Sequence, residues 1–258
     1  MSKIFYNVQH SVALTLNNKA DTTAVSYTIS IEKNQEFDHL YKLNRDDFKI
    51  NDKIIDTKFN EVANAYFALL FPIIFFHDGK NCAIRNHKQI LEKIYEGDKY
   101  LCDQYDGEGI KYIREQFLEQ VNTEEKMEHF IFSLPLFQLL QLAMQTKEDD
   151  SSFSHKWQIM PVGEALWEGV KKHIPINSLV EWELELVDKL AFKSDLTRYL
   201  QDNNIEKTVD PTAIVSSKIS SSMNYNDTYD NIEAINSELT VSCEPYFTYK
   251  EHFYLTQF

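Results

Sequence analysis

The sequence predicts an α+β protein in which a strongly curved antiparallel sheet, built from N-terminal and C-terminal strands, packs on a central helical insert. Two observations support this fold class. The apolar residues repeat every two positions near both ends of the chain, and they change to helical spacing between residues 57 and 146. Strands and helices do not alternate, so a parallel βαβ arrangement is not expected. We predict one α+β domain over residues 1–258, with residues 57–146 as a mainly helical insert.

The first fifty residues have the pattern of strands. Apolar and polar residues alternate from Val12 to Leu16 and again from Val25 to Ile31, which is typical of a sheet with one buried face. The polar residues 17–21 between these two stretches predict a hairpin loop. A third extended stretch is predicted at residues 37–50.

Residues 57–71 carry the first helical stripe, which Pro72 should end. This segment is apolar on almost every side, so we expect it to be largely buried. A short strand is predicted at residues 73–76, and Asp78-Gly79 is a hairpin signal leading to a second strand at residues 82–84.

Further helices are predicted from residue 86 to residue 145. Asn86 with Gln89, and Asn122 with Glu125, have the spacing of residues that cap the start of a helix. Pro135 should kink or restart the last of these helices. Residues 147–154 are predicted to form a polar loop.

The clearest strand of the chain is predicted at residues 178–187. Its apolar residues Val180, Trp182, Leu184 and Leu186 point one way, while Glu181, Glu183 and Glu185 point the other way. One face of this strand should therefore be exposed to solvent. Trp157, Trp167 and Trp182 could line an apolar cavity under the helices, but core packing is the preferred interpretation. Three more strands are predicted at residues 212–223, 231–243 and 247–258.

Composition and charge exclude several functional classes. The chain has only six glycines, and no two of them have the spacing of a phosphate-binding loop, a dinucleotide fingerprint or a nucleophile elbow. The 26 basic and 40 acidic residues give a net charge of −14, which opposes binding to nucleic acids and anionic membrane surfaces. No apolar stretch reaches the length of a membrane span, so no membrane insertion is expected. Three dispersed cysteines and a start without a signal-peptide pattern predict a cytoplasmic protein.

Patterns for catalysis or metal binding are weak. The eight histidines form no helical metal-binding motif, so we expect neither a metal nor another cofactor. Glu181, Glu183 and Glu185 stand about 6.5–7 Å apart along a strand, a separation that also suits an inverting glycosidase, but any solvent-exposed strand face has the same pattern. An enzyme whose site is assembled from distant residues remains open, although the sequence favours a non-enzymatic protein.

Acidic and aromatic residues concentrate near the C-terminal end. Residues 219–258 carry a net charge of −5. Tyrosine supplies rigid contact area and acidic residues steer a basic partner, although cross-strand packing would explain the same tyrosines. We therefore predict a non-enzymatic protein-binding module for a basic protein, acting as an inhibitor, an immunity protein or a chaperone. The predicted contact residues are Glu181, Glu183, Glu185, Tyr225, Tyr229 and Tyr246.

The alternative prediction is a cup-shaped carrier of an apolar small molecule, held between the sheet and the helices. The helix at residues 57–71 would close such a cavity. Its predicted lining residues are Tyr66, Phe67, Leu70 and Phe71.

One segment of about 40 residues resembles a known group of sequences. It comprises the run Leu69-Leu70-Phe71-Pro72-Ile73, the Asp78-Gly79 turn, and Ile84-x-Asn86-His87-x-x-Ile90. This segment is similar to one that recurs in a family of uncharacterised bacterial proteins of about this length. The resemblance implies a bacterial cytoplasmic protein of unknown function, and it brings no activity, ligand or catalytic residue with it.

Overall fold

The computed structural model describes residues 3–16, 19–37, 39–51, 57–79, 81–144, 152–203, 205, 209–226 and 231–258. Within these ranges the chain forms eleven strands and six α-helices. The strands are β1 (Lys3–Leu16), β2 (Lys19–Lys33), β3 (Leu40–Ile50), β4 (Ile73–His77), β5 (Cys82–Ile84), β6 (Phe153–Ile159), β7 (Gly163–Ile174), β8 (Leu179–Leu186), β9 (Val215–Tyr225), β10 (Ile232–Cys243) and β11 (Phe247–Gln257). The helices are α1 (Lys58–Ala68), α2 (His87–Gln104), α3 (Glu108–Val121), α4 (Glu124–Ser133), α5 (Pro135–Met144) and α6 (Lys189–Asp202).

All eleven strands belong to one sheet, in the order β5-β4-β3-β2-β1-β11-β10-β9-β8-β7-β6. The strand pairings whose register is described are antiparallel. The N-terminal strand β1 lies beside the C-terminal strand β11, and the backbone N–H of Phe258 donates to the carbonyl of Phe5 at 3.2 Å. The predicted α+β class, with strands from both ends of the chain in one antiparallel sheet, is confirmed.

Strand β8 has the alternation that the sequence predicts. Val180, Trp182, Leu184 and Leu186 are buried, whereas Glu183 and Glu185 are exposed on the opposite face. β8 is paired on both sides, with β7 and with β9. The backbone hydrogen bonds of β8 are therefore made within the sheet on both sides. The alternation of its side chains decides which face is buried.

Helix α1 is shorter and more exposed than the sequence predicts. It ends at Ala68 instead of residue 71, and Phe59 in its first turn is exposed. Only one stripe of α1, with Val62 and Tyr66, is buried, where it packs against Leu101 of α2 and Ile113 of α3. The prediction of a largely buried helix was wrong, because the other sides of α1 are half-buried or exposed; Phe67, for example, contacts the rings of Phe71 and Phe130 but is only partly buried.

Two predicted helix caps have different roles in the structure. Asn86 precedes α2 but does not cap it with its side chain: its amide accepts from the N–H of Ile74 at 2.9 Å and donates to the carbonyl of Pro72 at 2.8 Å. Asn86 therefore joins the start of α2 to β4. At the start of α4, the capping residue is Thr123 and not Asn122, since the Thr123 hydroxyl accepts from the N–H of Lys126.

Helix α6 was missed in the sequence analysis. Asp188 caps it, and its Oδ1 accepts from the N–H groups of Leu190 and Ala191 at 3.0 and 2.8 Å. The buried residues Phe192, Leu196 and Leu200 repeat every four positions, which is the sequence signal for a short amphipathic helix.

The chain separates into two compact units. The first comprises Met1–Val8, Val25–Thr146 and Gln257–Phe258, and it contains α1 to α5. The second comprises Gln9–Ala24 and Lys147–Thr256, and it contains α6 together with β6 to β10 and most of β11. In the second unit, Phe192 of α6 packs edge-on against Phe247 of β11 at a ring-centroid distance of 5.7 Å. That the chain forms a single domain stays a prediction.

None of the helices in the described ranges combines the length and the apolar character that crossing a bilayer requires.

Candidate functional site

The predicted acidic face of β8 is exposed, but lysines accompany its glutamates. Glu183 Oε1 lies 3.2 Å from Lys218 Nζ, and Glu185 Oε2 lies 3.5 Å from Lys189 Nζ. Glu181 is the register partner of Lys172 on β7. Two of these three glutamates therefore lie within ion-pair distance of a lysine of the same chain.

The three predicted contact tyrosines are placed differently. Tyr225 is only 6% exposed, and burial raises the pKa of its hydroxyl above the ordinary value. Its assignment to a contact surface is corrected, because an enclosed ring offers no area to a partner. Tyr246 is partly exposed in the turn between β10 and β11, where its N–H donates to the carbonyl of Cys243. Tyr229 lies outside the described residues.

The four residues assigned to an apolar cavity contact protein groups. Tyr66, Leu70 and Phe71 are buried, and the Tyr66 hydroxyl donates to Asp98 Oδ1 at 2.8 Å. The rings of Phe67 and Phe71 lie 4.6 and 5.3 Å from the guanidinium carbon of Arg45.

Arg45 occupies the centre of this aromatic cluster. Its guanidinium also lies 4.7 Å from the ring centroid of Phe48, and Nη2 donates to Asn64 Oδ1 at 2.6 Å. Burial lowers the pKa of Arg45 to about 10, although the Tyr27 hydroxyl and Asp46 act in the opposite direction. The guanidinium of Arg45 thus stacks on the rings of Phe67 and Phe71, which the sequence analysis had assigned to the lining of a cavity for an apolar small molecule.

A pocket of about 150 Å³ lies in the second unit, between the turn that joins β6 to β7, the end of β8 and the first turns of α6. We call it the β7–α6 pocket. Its lining residues are Val162, Gly163, Glu164, Ala165, Leu166, Leu186, Asp188, Ala191, Phe192 and Asp195.

Local sequence explains why a pocket forms here. β8 ends where Val187 N–H donates to the carbonyl of Leu166, and the next residue, Asp188, begins α6 by capping it. The helix then presents Ala191 and Asp195, one turn apart, on the same side. Ala165 and Ala191 have only a methyl group each, so the space between strand and helix stays open.

Three carboxylates line the β7–α6 pocket, and each already has one partner group. Glu164 Oε1 lies 3.0 Å from Lys156 Nζ, Asp195 Oδ1 accepts from Arg198, and Asp188 Oδ1 caps α6. For the second oxygen of each carboxylate, no hydrogen bond to another described residue is found.

Exposed apolar side chains occur at this pocket and next to its lining residues in the chain. Leu166 is 42% exposed, Val187 46% and Leu190 75%. Leu166 lines the pocket, Val187 stands between the lining residues Leu186 and Asp188, and Leu190 directly precedes Ala191. Exposed apolar surface with a polar rim is typical of a site for protein binding.

A pair of like charges lies beside this surface. Glu168 of β7 is the register partner of Glu185 of β8, and both side chains point to the exposed face. Directly opposed like charges destabilise a sheet. Lys189 offsets only part of this repulsion, because it contacts Glu185 alone at a distance of 3.5 Å.

A second polar cluster lies in the interior of the second unit. Glu251 has a side chain that is 4% exposed; its Oε1 lies 2.7 Å from His10 Nε2, and its Oε2 accepts from Trp157 Nε1 at 3.1 Å and from the Tyr249 hydroxyl at 3.2 Å. Burial raises the pKa of the Tyr249 hydroxyl above the ordinary value, and the nearby Glu251 adds to this effect. Because both carboxylate oxygens are engaged, the cluster is a structural connection and not an open reactive site.

Metal ligation has no support within the described ranges, where no three His, Cys, Asp or Glu residues are grouped in a way that could hold an ion. The carboxylates of the β7–α6 pocket line its wall separately. Their chemistry is that of acceptors for a cationic hydrogen-bond donor.

Comparison with known proteins finds a match among solved structures but none among family models or curated proteins. A solved structure described as "lipid-protein interactions in lipovitellin" is similar, with a TM-score of 0.51 and 8% sequence identity. The likeness is one of fold. It covers 99% of this chain and 25% of that chain, so this protein spans about a quarter of the length of its relative.

Sequence reasoning missed both the β7–α6 pocket and the Glu251 cluster. The cap at Asp188 and the spacing of Phe192, Leu196 and Leu200 could have revealed α6, and with it one wall of the pocket. The Glu251 cluster offered no comparable signal, since Trp157 and His10 stand 94 and 241 positions away from Glu251.

Proposed function

We propose that this protein is a non-enzymatic binding module for a basic protein. The observation that supports the proposal is a pocket lined by three carboxylates and the exposed Leu166, with the exposed Val187 and Leu190 next to lining residues in the chain. Apolar side chains beside acceptor oxygens suit a protein surface whose cations and apolar residues alternate.

Charge favours a basic partner over a neutral one. The chain carries a net charge of −14, so long-range attraction accelerates encounter with a positively charged protein and repels acidic ones. The opposed pair Glu168 and Glu185 adds a local reason. A partner cation placed between these two carboxylates would relieve their repulsion, whereas a neutral group would leave it in place.

The contact surface that we propose differs in part from the one expected from sequence. It retains the exposed Glu183 and Glu185 of β8, adds Glu168 and the β7–α6 pocket, and leaves out the buried Tyr225.

The test is a pull-down from a lysate of the source organism at low and at high salt. The baits are the wild-type chain, the double variant E168Q/E185Q and the matched control E233Q/E238Q, which removes the same number of exposed charges on β10. We expect a basic protein that is recovered at low salt, is released at high salt and is lost only with E168Q/E185Q. Its direct binding is then measured with both purified proteins by calorimetry.

Two results would overturn the proposal. One is that no protein is recovered at either salt concentration. The other is that the recovered protein is acidic, or that it binds E168Q/E185Q and the wild-type chain equally well.

Carriage of an apolar small molecule is a second candidate, which the fold shared with lipovitellin favours. The described pocket is small for this purpose, because sites for drug-sized ligands have volumes of about 300–1,000 Å³. Native mass spectrometry of protein purified without detergent separates the two candidates. A bound lipid that dissociates on collisional activation would support the carrier, and a single peak at the mass of the chain would reject it.

A further inference from the structure

We infer that the β7–α6 pocket receives one lysine or arginine side chain of the basic partner, an inference that rests on the function proposed above. The pocket, and not the acidic face of β8 as a whole, would then supply the specific contact. Size, lining and charge support this inference separately.

The volume of the pocket fits a single side chain. A cavity of about 150 Å³ is known to accommodate one benzene molecule, and the β7–α6 pocket has the same volume. A lysine side chain, with its four-carbon stem and terminal ammonium, is of comparable size. A lipid tail or a folded peptide segment is too large.

The lining of the pocket matches the two chemical parts of such a side chain. Val162, Ala165 and Leu186 offer apolar surface to the aliphatic stem, and the Phe192 ring adds to it. Glu164, Asp188 and Asp195 line the same pocket with carboxylates that can accept from the cationic head. An ammonium has three donors and a guanidinium five, so either can donate to each carboxylate that it reaches.

The negative charge of the pocket favours a cationic side chain of the partner over an apolar one. An apolar side chain in this pocket would displace water from three carboxylates without replacing its hydrogen bonds, which is unfavourable. A lysine or arginine head would replace those hydrogen bonds with charge-assisted ones, which are about twice as strong as neutral ones.

Two substitutions test the pocket while preserving α6. Ala191→Leu fills the space without changing any charge, and leucine is a good helix former at this exposed position. Asp188→Asn removes one negative charge but keeps a residue that caps helices as well as aspartate does. The matched control is Glu238→Gln on the exposed face of β10. Circular dichroism and thermal unfolding establish that each variant is folded.

The probe is n-butylammonium, which copies the lysine side chain, added to the ¹⁵N-labelled full-length chain; n-butanol is the neutral comparison. We expect saturable shifts of the backbone amides of Gly163, Ala165 and Ala191 with butylammonium and none with butanol. Ala191→Leu should abolish them, Asp188→Asn should weaken binding about tenfold, and Glu238→Gln should leave it unchanged. If the wild-type chain shows no saturable shift, or Ala191→Leu binds equally well, the inference is overturned.

The purified partner separates failure of this inference from failure of the proposed function. Affinity that falls about tenfold or more in both Ala191→Leu and Asp188→Asn, but not in Glu238→Gln, supports the pocket. Unchanged affinity in both variants, with E168Q/E185Q still defective, overturns the pocket and leaves the proposed function standing. Absence of any basic partner in the pull-down overturns the proposed function itself.

Discussion

The indole N–H of Trp157 donates to Oε2 of Glu251 at 3.1 Å, although four strands separate β6 from β11 in the order of the sheet. In a flat sheet, five strand spacings of about 4.8 Å would place these two strands about 24 Å apart. The hydrogen bond therefore requires that the strands of the second unit curl until their inner faces meet. This relationship explains why a polar cluster lies in the middle of an aromatic core.

Removing the carboxylate of Glu251 should destabilise the protein. In Glu251→Leu, the buried donors of Trp157 and Tyr249 and the ring nitrogen of the partly buried His10 lose their partner, and we expect a loss of about 3–5 kcal/mol in the free energy of unfolding. Glu251→Gln keeps one acceptor oxygen and should cost less. Urea unfolding measures both, with Glu238→Gln as an exposed control that should change stability by less than about 0.5 kcal/mol. Equal stability of the Leu and Gln variants would contradict the assigned role.

A methyl group at Gly169 should not be tolerated. A Cβ at this position would overlap the backbone carbonyl of Glu183 on β8, and a strand backbone within a sheet cannot move away easily. We expect Gly169→Ala to lower the midpoint of thermal unfolding by about 10 °C or more. Gly109→Ala is the matched control, since its Cβ would meet only the Phe59 ring at 3.7 Å and alanine favours a helix. A control that loses as much stability as Gly169→Ala would refute the steric explanation.

The ion pair between Arg114 and Asp98 should make the stability of the first unit depend on pH in the acidic range. Hydrogen bonds from Arg114, at 2.7 and 2.8 Å, hold the pKa of Asp98 below its ordinary value of 3.8, despite the opposing effect of burial. A lowered folded-state pKa stabilises the folded state above the unfolded-state value, and this contribution disappears as the pH falls through the folded-state pKa. Asp98→Asn should therefore be less stable than wild type at pH 7, and this difference should shrink as the pH falls below 3.8. Chemical unfolding across this range measures the difference, and a constant difference would contradict the prediction.

His155 should contribute a second pH dependence, at higher pH. Burial lowers its pKa from 6.5 to about 4, although Glu164 acts in the opposite direction. The folded state therefore resists protonation of this ring, so stability is full above pH 6.5 and declines as the pH falls towards 4. His155→Phe, which keeps an aromatic ring beside Trp157, should reduce this decline by about 2 kcal/mol. Measuring the free energy of unfolding of the wild type and of His155→Phe at pH 7 and pH 4.5 tests this prediction. An equal loss of stability in the two proteins would refute it.

The sequence predicts local structure well where one periodic pattern dominates. β8 and the strand pairs around it follow strict alternation, and α5 starts at Pro135, as expected for a residue that restarts a helix. Asn86 was misjudged because a capping residue and a residue that bridges to a neighbouring strand look the same in sequence. The Glu251 cluster could not be predicted, because the curl of the sheet and not the chain brings its members together.

The glutamates of β8 show the same limit of prediction from sequence. The sequence analysis placed the function on Glu181, Glu183 and Glu185, because alternation shows which residues are exposed. It could not show that Lys218 and Lys189 lie beside two of them. The charge available to a partner depends on such neighbours, and they belong to other elements of the fold.

The position of β1 between β2 and β11 sets an order of events during synthesis. β2 follows β1 directly and can pair with it early, but the other edge of β1 must wait until residues 247–257 have left the ribosome. Contacts that span so much of a chain form slowly. Until then, the nascent protein exposes a long unpaired strand edge that can associate with other chains. We therefore expect the yield of folded protein to fall when translation is slowed at a fixed temperature, because the unpaired edge is then exposed for longer.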